Sequence, residues 1–274
     1  MMLNIHNKLF YITLLLLIFF GIYLSYIGGY GSDEDTIPMI VSFLSIYYNG
    51  DILASRFTGY PVAEIGIGFL SFYFGSFIVN LITFFLLIVS LIFLFLTFNL
   101  KRKDTLKFLP LFLILTLSNP IIFFDNLEPI DYSWSLAPFA IGCFFYKKKK
   151  YDLALLFFTI SIGARINFAL FIIIFVLFFD NKDNNFNKKV IFLFCCLFFG
   201  SLFYLPVWYS HKFGLEWFTA ARPIEQGFYG LIARFIYKIA HLFTLFSLIL
   251  ILFYTTNKKI INKFLSNKTI LYII

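Results

Sequence analysis

Long apolar runs, separated by short polar segments, extend along almost the whole chain. They lie at 9–27, 62–74, 76–99, 106–123, 133–146, 151–179, 190–209 and 231–254. Uninterrupted runs of about 20 apolar residues are typical of helices that cross a bilayer, whereas a surface helix of a soluble protein is apolar on one face. The pattern therefore predicts an all-α, polytopic membrane bundle of about eight or nine membrane segments, with residues 1–274 forming a single transmembrane domain.

Composition supports this class and excludes several others. Of the 274 residues, 61% are hydrophobic, 23% are aromatic and 13% are charged, whereas soluble domains carry about 25% charged residues. Disordered and coiled-coil chains do not contain so many aromatic residues. The sequence has no CxxC pair, histidine-rich cluster or glycine-rich phosphate loop, so zinc, thiol-redox and P-loop chemistry have no basis in it.

Charged residues are sorted between alternate polar segments. If Lys8 lies inside, most of the 22 Lys and Arg residues fall on that side, including the clusters at 101–103 and 147–150, and most Asp and Glu residues fall on the other. Basic residues accumulate in cytoplasmic loops, so we predict a cytoplasmic N-terminus. The net charge of +8 is then explained by orientation, and no nucleic-acid partner is predicted.

The run 151–179 is predicted to form a short helical hairpin. Both flanks are lysine-rich, so the chain has to cross an even number of times, and each arm of about 14 residues is roughly 21 Å long against a hydrocarbon core of about 30 Å. The apex near Gly163, Ala164 and Arg165 would lie in the outer half of the membrane, where an arginine requires a watery cavity or an anion. The alternative is one tilted span in which Arg165 reaches the headgroups.

The first outer loop, residues 28–75, is predicted to carry juxtamembrane helices, including a short half-buried helix at about 62–74. The loop begins with three adjacent carboxylates, Asp33, Glu34 and Asp35. A carboxylate at the membrane edge is well placed to act as a general base. The alternative is a solvated acidic loop that helps to set the topology.

Several short motifs follow one another in a defined order. The acidic first loop is followed by Arg-x-x-Gly-Tyr-Pro at 56–61, by a second outer loop that ends in Asp131 before Tyr-Ser-Trp, and by Gly-Ala-Arg at 163–165. This order, which covers the chain from the first helix to about residue 180, resembles the GT-C superfamily of integral-membrane glycosyltransferases. That superfamily includes protein O-mannosyltransferases and lipid A aminoarabinose transferases.

The resemblance implies a helical scaffold in a bacterial inner membrane, with the active site in the first outer loop on the non-cytoplasmic face. It implies a polyprenyl-phosphate sugar as donor and a lipid, glycan or protein hydroxyl as acceptor. Asp33 or Glu34, with Asp35 as the next candidate, would match the base that deprotonates the acceptor, which then attacks the anomeric carbon with inversion. A positioned base contributes about 10²–10⁴-fold in rate.

The donor's lipid phosphate requires cations, and Arg56 and Arg165 are the candidates near the outer surface. Tyr60, in the same turn as Arg56, is included in the predicted substrate site. Asp131 is a candidate for holding a divalent metal or orienting the acceptor, with a solvated loop position as the alternative, and no other cofactor is predicted. Glu64 is predicted to pair with Arg56, either within the site or as a surface ion pair.

The last long apolar run carries a basic stripe. Arg234, Lys238 and His241 are spaced at i, i+4 and i+7, so they share one helix face. The stripe could bind the donor phosphate or a phosphorylated acceptor; alternatively, Arg234 and Lys238 could simply reach the headgroups.

The chain is shorter than most such enzymes and stops as a further apolar segment, 269–274, begins, so we expect a shortened copy. Two other classes stay open. A transporter or flippase for a lipid-linked substrate would also use an intramembrane arginine, but it predicts inverted repeats that this sequence does not contain. A non-catalytic membrane scaffold subunit predicts that Asp33, Glu34 and Arg165 are individually dispensable.

Overall fold

The structure is a computed structural model that describes residues 2–31, 36–50, 54–55, 59–99, 108–179 and 186–210. The extended regular elements in these ranges are all α-helices, which confirms the all-α prediction for this part of the chain. In chain order they are α1 Met2–Ile27, α2 Thr36–Asn49, α3 Pro61–Asn99, α4 Leu109–Leu117, α5 Pro120–Asp125, α6 Asp131–Lys147, α7 Tyr151–Ala164, α8 Phe168–Phe178, α9 Phe186–Leu202 and α10 Leu205–Ser210.

The longest helix, α3, is broken at the predicted position. Gly75 has φ 76° and ψ −178°, in a region that glycine can adopt because it has no Cβ. The break divides α3 into 61–74 and 76–99, and the second part is about 36 Å long. Within the described ranges, this helix alone is long and apolar enough to cross a membrane by itself. That is a hint of membrane association, since a buried helix of a soluble protein can have the same length and composition.

Two helical segments are present in the described part of residues 28–75. They are α2 and the first part of α3, which cross closely at Gly68. A Cβ on Gly68 would lie 2.1 Å from the Cβ of Phe43. Glycine at this position therefore lets the two helix backbones approach each other.

Helices α3 and α6 end together at what we call the lysine end, which includes residues 147–150. Lys147 Nζ donates a hydrogen bond to Thr97 O at 3.2 Å and lies 4.9 Å from the centre of the Phe98 ring. The Phe98 and Phe179 rings are 6.0 Å apart, so α8 also ends here. The opposite end, where α3 and α6 begin, contains Arg165 and is called the arginine end.

The predicted hairpin in 151–179 is confirmed, and a single continuous helix is wrong. Helix α7 starts at the lysine end and stops at Ala164, Arg165 has an extended backbone with φ −160° and ψ 114°, and α8 starts at Phe168. The ring centres of Phe158 on α7 and Phe175 on α8 are 6.4 Å apart, so the two arms pack against each other. Arg165 therefore lies at the apex, as the sorting of charges predicted.

Three buried apolar clusters hold the described helices together. The first joins α6, α7, α8 and α9 around Phe158, which is fully buried. The second joins α1, α3, α4 and α5 around Phe84. The third contains Met39, Ile67 and Ala164 and packs α2, α3 and the end of α7 together at the arginine end.

Two apolar runs predicted as single spans are each divided in the structure. The run 106–123 is interrupted between α4 and α5, where the Asn119 side chain caps α5 by accepting a hydrogen bond from Ile121 N at 3.1 Å. Pro120 follows at the first helical position, where a missing N–H is tolerated. The run 190–209 is divided at 203–204 between α9 and α10. The basic stripe on 231–254 lies outside the described residues.

Candidate functional site

Arg165, at the apex of the α7/α8 hairpin, is surrounded by side chains at the arginine end. Its Nη1 lies 3.4 Å from Oδ2 of Asp131, the first residue of α6. Its guanidinium carbon lies 4.1 Å from the ring centre of Tyr132 and 5.7 Å from that of Tyr60. The side chain is 15% exposed, so these contacts orient a guanidinium that still reaches the surface.

Asp131 is fully buried, so the solvated-loop alternative for this residue is wrong. A carboxylate in the first turn of a helix is stabilised by the helix dipole. A buried carboxylate also needs a partner of opposite charge, which Arg165 supplies. The backbone nearby is fixed as well, because Ser135 Oγ donates to Asp131 O at 2.6 Å and Ser161 Oγ on α7 donates to Ser135 O at 2.8 Å.

An arginine guanidinium is not deprotonated in proteins. Arg165 is therefore cationic at every physiological pH.

Glu64, in the first turn of α3, organises the segment that precedes this helix. Its Oε1 accepts hydrogen bonds from Ser55 N at 2.9 Å, from Ser55 Oγ, and from Tyr60 N at 3.1 Å. Its Oε2 accepts from Ser42 Oγ on α2 at 3.0 Å. One carboxylate thus connects α2, the loop and α3. Glu64 is 2% exposed, so the surface ion pair is wrong, and its predicted partner Arg56 lies outside the described residues.

Tyr204, which sequence reasoning did not identify, supports the hairpin from the side. It is fully buried between α9 and α10, and its hydroxyl donates to Ile162 O on α7 at 2.8 Å. Beside it, a Cβ on Gly163 would lie 2.6 Å from Phe203 and 2.8 Å from Val62. Position 163 therefore requires glycine for steric reasons. The Gly-Ala-Arg sequence within an apolar run was the sequence signal for this close packing before the apex.

A cavity of about 520 Å³ opens next to this network. Glu64 contributes to its wall, and so does Trp134, whose Nε1 donates to Thr83 Oγ1 at 3.0 Å. The remaining wall is mostly apolar: Ile46, Pro61, Val62, Ile65, Gly66, Leu202, Phe203, Pro206 and Val207. The arginine end therefore combines a fixed cation with apolar space.

The structure brings four predicted site residues together at the arginine end: Tyr60, Glu64, Asp131 and Arg165. The others lie outside the described residues: Asp33, Glu34, Asp35, Arg56, Arg234, Lys238 and His241. Gly31 and Thr36, near the two ends of the acidic triplet, are described. A Cβ on Gly31 would lie 2.3 Å from the Glu128 side chain, and Thr36, which begins α2, is fully buried.

No family model, curated protein or solved structure matches this chain. The interpretation of the site therefore depends on its own geometry and charges. In the described ranges, no group of three His, Cys, Asp or Glu residues could hold a metal ion. Asp131, the candidate metal ligand, faces the guanidinium of Arg165.

Proposed function

We propose that the chain is a multi-pass membrane glycosyltransferase of the GT-C type. It would transfer a sugar from a polyprenyl-phosphate donor to an acceptor hydroxyl on the non-cytoplasmic side of a bacterial inner membrane. The observation that supports this most strongly is the position of Arg165. A cation at the apex of a short helical hairpin, opposite the lysine end, is suited to a lipid phosphate at headgroup depth.

Exposed apolar side chains on several helices support the membrane part of the proposal. Phe19 on α1 is 64% exposed, Phe178 on α8 is 69% exposed and Phe194 on α9 is 68% exposed. A soluble protein rarely presents so many large apolar side chains to water. A bilayer would cover them, with the lysine end on the cytoplasmic side and the arginine end outside.

The contacts of Arg165 suit it to stabilise a leaving phosphate. A guanidinium carries five N–H donors in a planar fork. Asp131 and Tyr132 hold this fork in one orientation, and its exposed edge can donate to phosphate oxygens. Charge-assisted hydrogen bonds of this kind are strong and lower a barrier when they are aimed at developing negative charge.

In the proposed reaction, a carboxylate of the triplet at 33–35 takes the proton of the acceptor hydroxyl. The acceptor oxygen forms a bond to the anomeric carbon, and the bond between that carbon and the phosphate oxygen breaks. The electron pair passes to the phosphate, where Arg165 and Arg56 stabilise the charge, and the configuration is inverted. Glu64 acts as a positioning residue, because its carboxylate holds Ser55 and Tyr60, which flank the segment of Arg56 in the sequence.

The test is sugar transfer by membranes that express the full chain. We would measure labelled sugar moving from polyprenyl-phosphate donors to cell-envelope acceptors for wild type, Asp33→Asn, Glu34→Gln, Asp35→Asn and Arg165→Ala. Lys150→Gln, at the lysine end, is the matched control. We expect Arg165→Ala and one acidic variant to lose transfer and the control to keep it. Wild-type activity equal to that of empty membranes would contradict the proposal.

A further inference from the structure

The lysine end contains a second cavity, of about 540 Å³, at the start of α7 and α9. Three lysines line it, together with Tyr146 and Tyr151. The lysines are Lys149, Lys188 and Lys189. Asp152 also lines the cavity, so positive charges outnumber negative charges three to one among the described residues of its wall.

The backbone at the cavity is specialised. Lys149 has a positive φ of 61°, which is uncommon for a residue other than glycine. Its N–H donates to Tyr146 O at 2.9 Å, which closes the tight turn between α6 and α7. The Phe192 ring lies 5.1 Å from the Tyr146 ring and 6.0 Å from the Tyr151 ring. The lysines therefore share this cavity with three packed aromatic rings.

The cavity continues into an apolar groove along α7 and α9. A neighbouring cavity of about 550 Å³ shares Asp152 and Leu155 with it and has Leu156, Phe199 and Phe203 in its walls. Phe203 packs against Gly163, next to Arg165. The groove thus extends from a cationic mouth at the lysine end toward the arginine end.

We propose that this groove binds an anionic phospholipid of the cytoplasmic leaflet. The headgroup phosphate lies among Lys149, Lys188 and Lys189, and an acyl chain lies along Leu156 and Phe199. A free phosphate would use the lysines but not the groove, whereas a phospholipid complements both. Basic pockets between helices on the cytoplasmic side are suited to anionic headgroups. The inference requires the proposed membrane embedding, but it does not require glycosyl transfer.

Native mass spectrometry of the full chain in detergent tests this inference. The protein is mixed with equal amounts of dioleoyl phosphatidylglycerol and dioleoyl phosphatidylcholine, and the bound lipid is counted. The double variant Lys188→Gln/Lys189→Gln removes two cavity lysines. Lys148→Gln/Lys150→Gln removes the same charge from the same end without changing the cavity lining. Size-exclusion chromatography checks that each variant is folded.

We expect wild type to prefer phosphatidylglycerol. The 188/189 variant should lose about tenfold or more of that preference, since each lysine near an anionic lipid surface strengthens binding several-fold. The 148/150 variant should stay within about twofold of wild type. Equal losses in both variants would show a diffuse surface effect and overturn the inference.

A third variant separates a lipid from a soluble phosphate. Leu156→Trp fills the apolar groove and leaves every charge in place, so phosphatidylglycerol binding should fall. Millimolar glycerol phosphate should not displace the lipid. Displacement by glycerol phosphate, or full lipid binding by Leu156→Trp, would overturn the phospholipid assignment. These readouts do not involve sugar transfer, so they distinguish a failure here from a failure of the proposed enzyme.

Discussion

Replacing Asp131 by asparagine should destabilise the arginine end. The change keeps the size of the side chain and removes the negative charge that faces Arg165 at 3.4 Å. Arg165 would then keep its charge with little exposure to water. The reverse change, Arg165→Gln, leaves the buried Asp131 carboxylate without that cation.

The structure gives the size of the effect. Two opposite unit charges at this distance attract each other by about 5 kcal/mol at an effective dielectric constant of about 20. Removing one partner of a buried pair costs about 3–5 kcal/mol, and we expect about 3 kcal/mol because Arg165 is partly exposed. For a chain of this size, that lowers Tm by roughly 6–12 °C. The double variant Asp131→Asn/Arg165→Gln should lose no more than either single variant, because neither charge is left alone.

Thiol labelling during heating measures this effect. Cys143 and Cys196 are buried, so a thiol-reactive dye reports their exposure as the protein unfolds. The control is Asp125→Asn, which makes the same chemical change at an exposed position and should change the stability by less than about 1 kcal/mol. If the losses of the two single variants add up in the double variant, the two side chains do not interact and the reasoning is refuted.

Three further predictions use the same assay. Glu64→Ala removes an acceptor of four hydrogen bonds and should cost about 3–5 kcal/mol of stability. Glu64→Gln can still accept at Oε1 and donate to Ser42, so it should cost about 1 kcal/mol. Equal losses would contradict the hydrogen-bond account. Gly75→Ala should cost about 1–3 kcal/mol through its backbone conformation alone, since no atom lies within 4 Å of the added Cβ. A rise in Tm would show that Gly75 does not determine the break. Tyr204→Phe leaves Ile162 O without its donor and should cost about 1–3 kcal/mol, against almost nothing for the exposed control Tyr23→Phe. Equal shifts in Tm would contradict this.

Local features of the fold were predictable because their signals are local. The glycine at 75 marks a helix break. Lysines on both flanks of 151–179 require the chain to return to the side on which this run begins. The break at Asn119 was missed, although Ser-Asn-Pro at 118–120 is a typical helix start, because apolar length was given more weight than capping.

Four residues that the structure brings together at the arginine end were candidates from the sequence, but their contacts were not predictable. Asp131 and Arg165 were both proposed, yet nothing in the sequence shows that residues on separate helices form a pair. The acceptor role of Glu64 was not predictable, because it depends on Ser42 on α2 and on Ser55 in the loop, which only the folded chain brings close. Tyr204 lies in an apolar run rich in aromatic residues, so its hydrogen bond had no separate signal.

The hydrogen bonds of Glu64 also limit which amino acids position 64 can accept. A shorter carboxylate, aspartate, ends about 1.5 Å before the loop, so it keeps the charge but not the reach. Alanine, leucine or lysine offers no acceptor to Ser55 and Tyr60. Among sequences that share this fold, we therefore expect glutamate at position 64 with glutamine as its only common substitute, even where the surrounding apolar residues exchange freely.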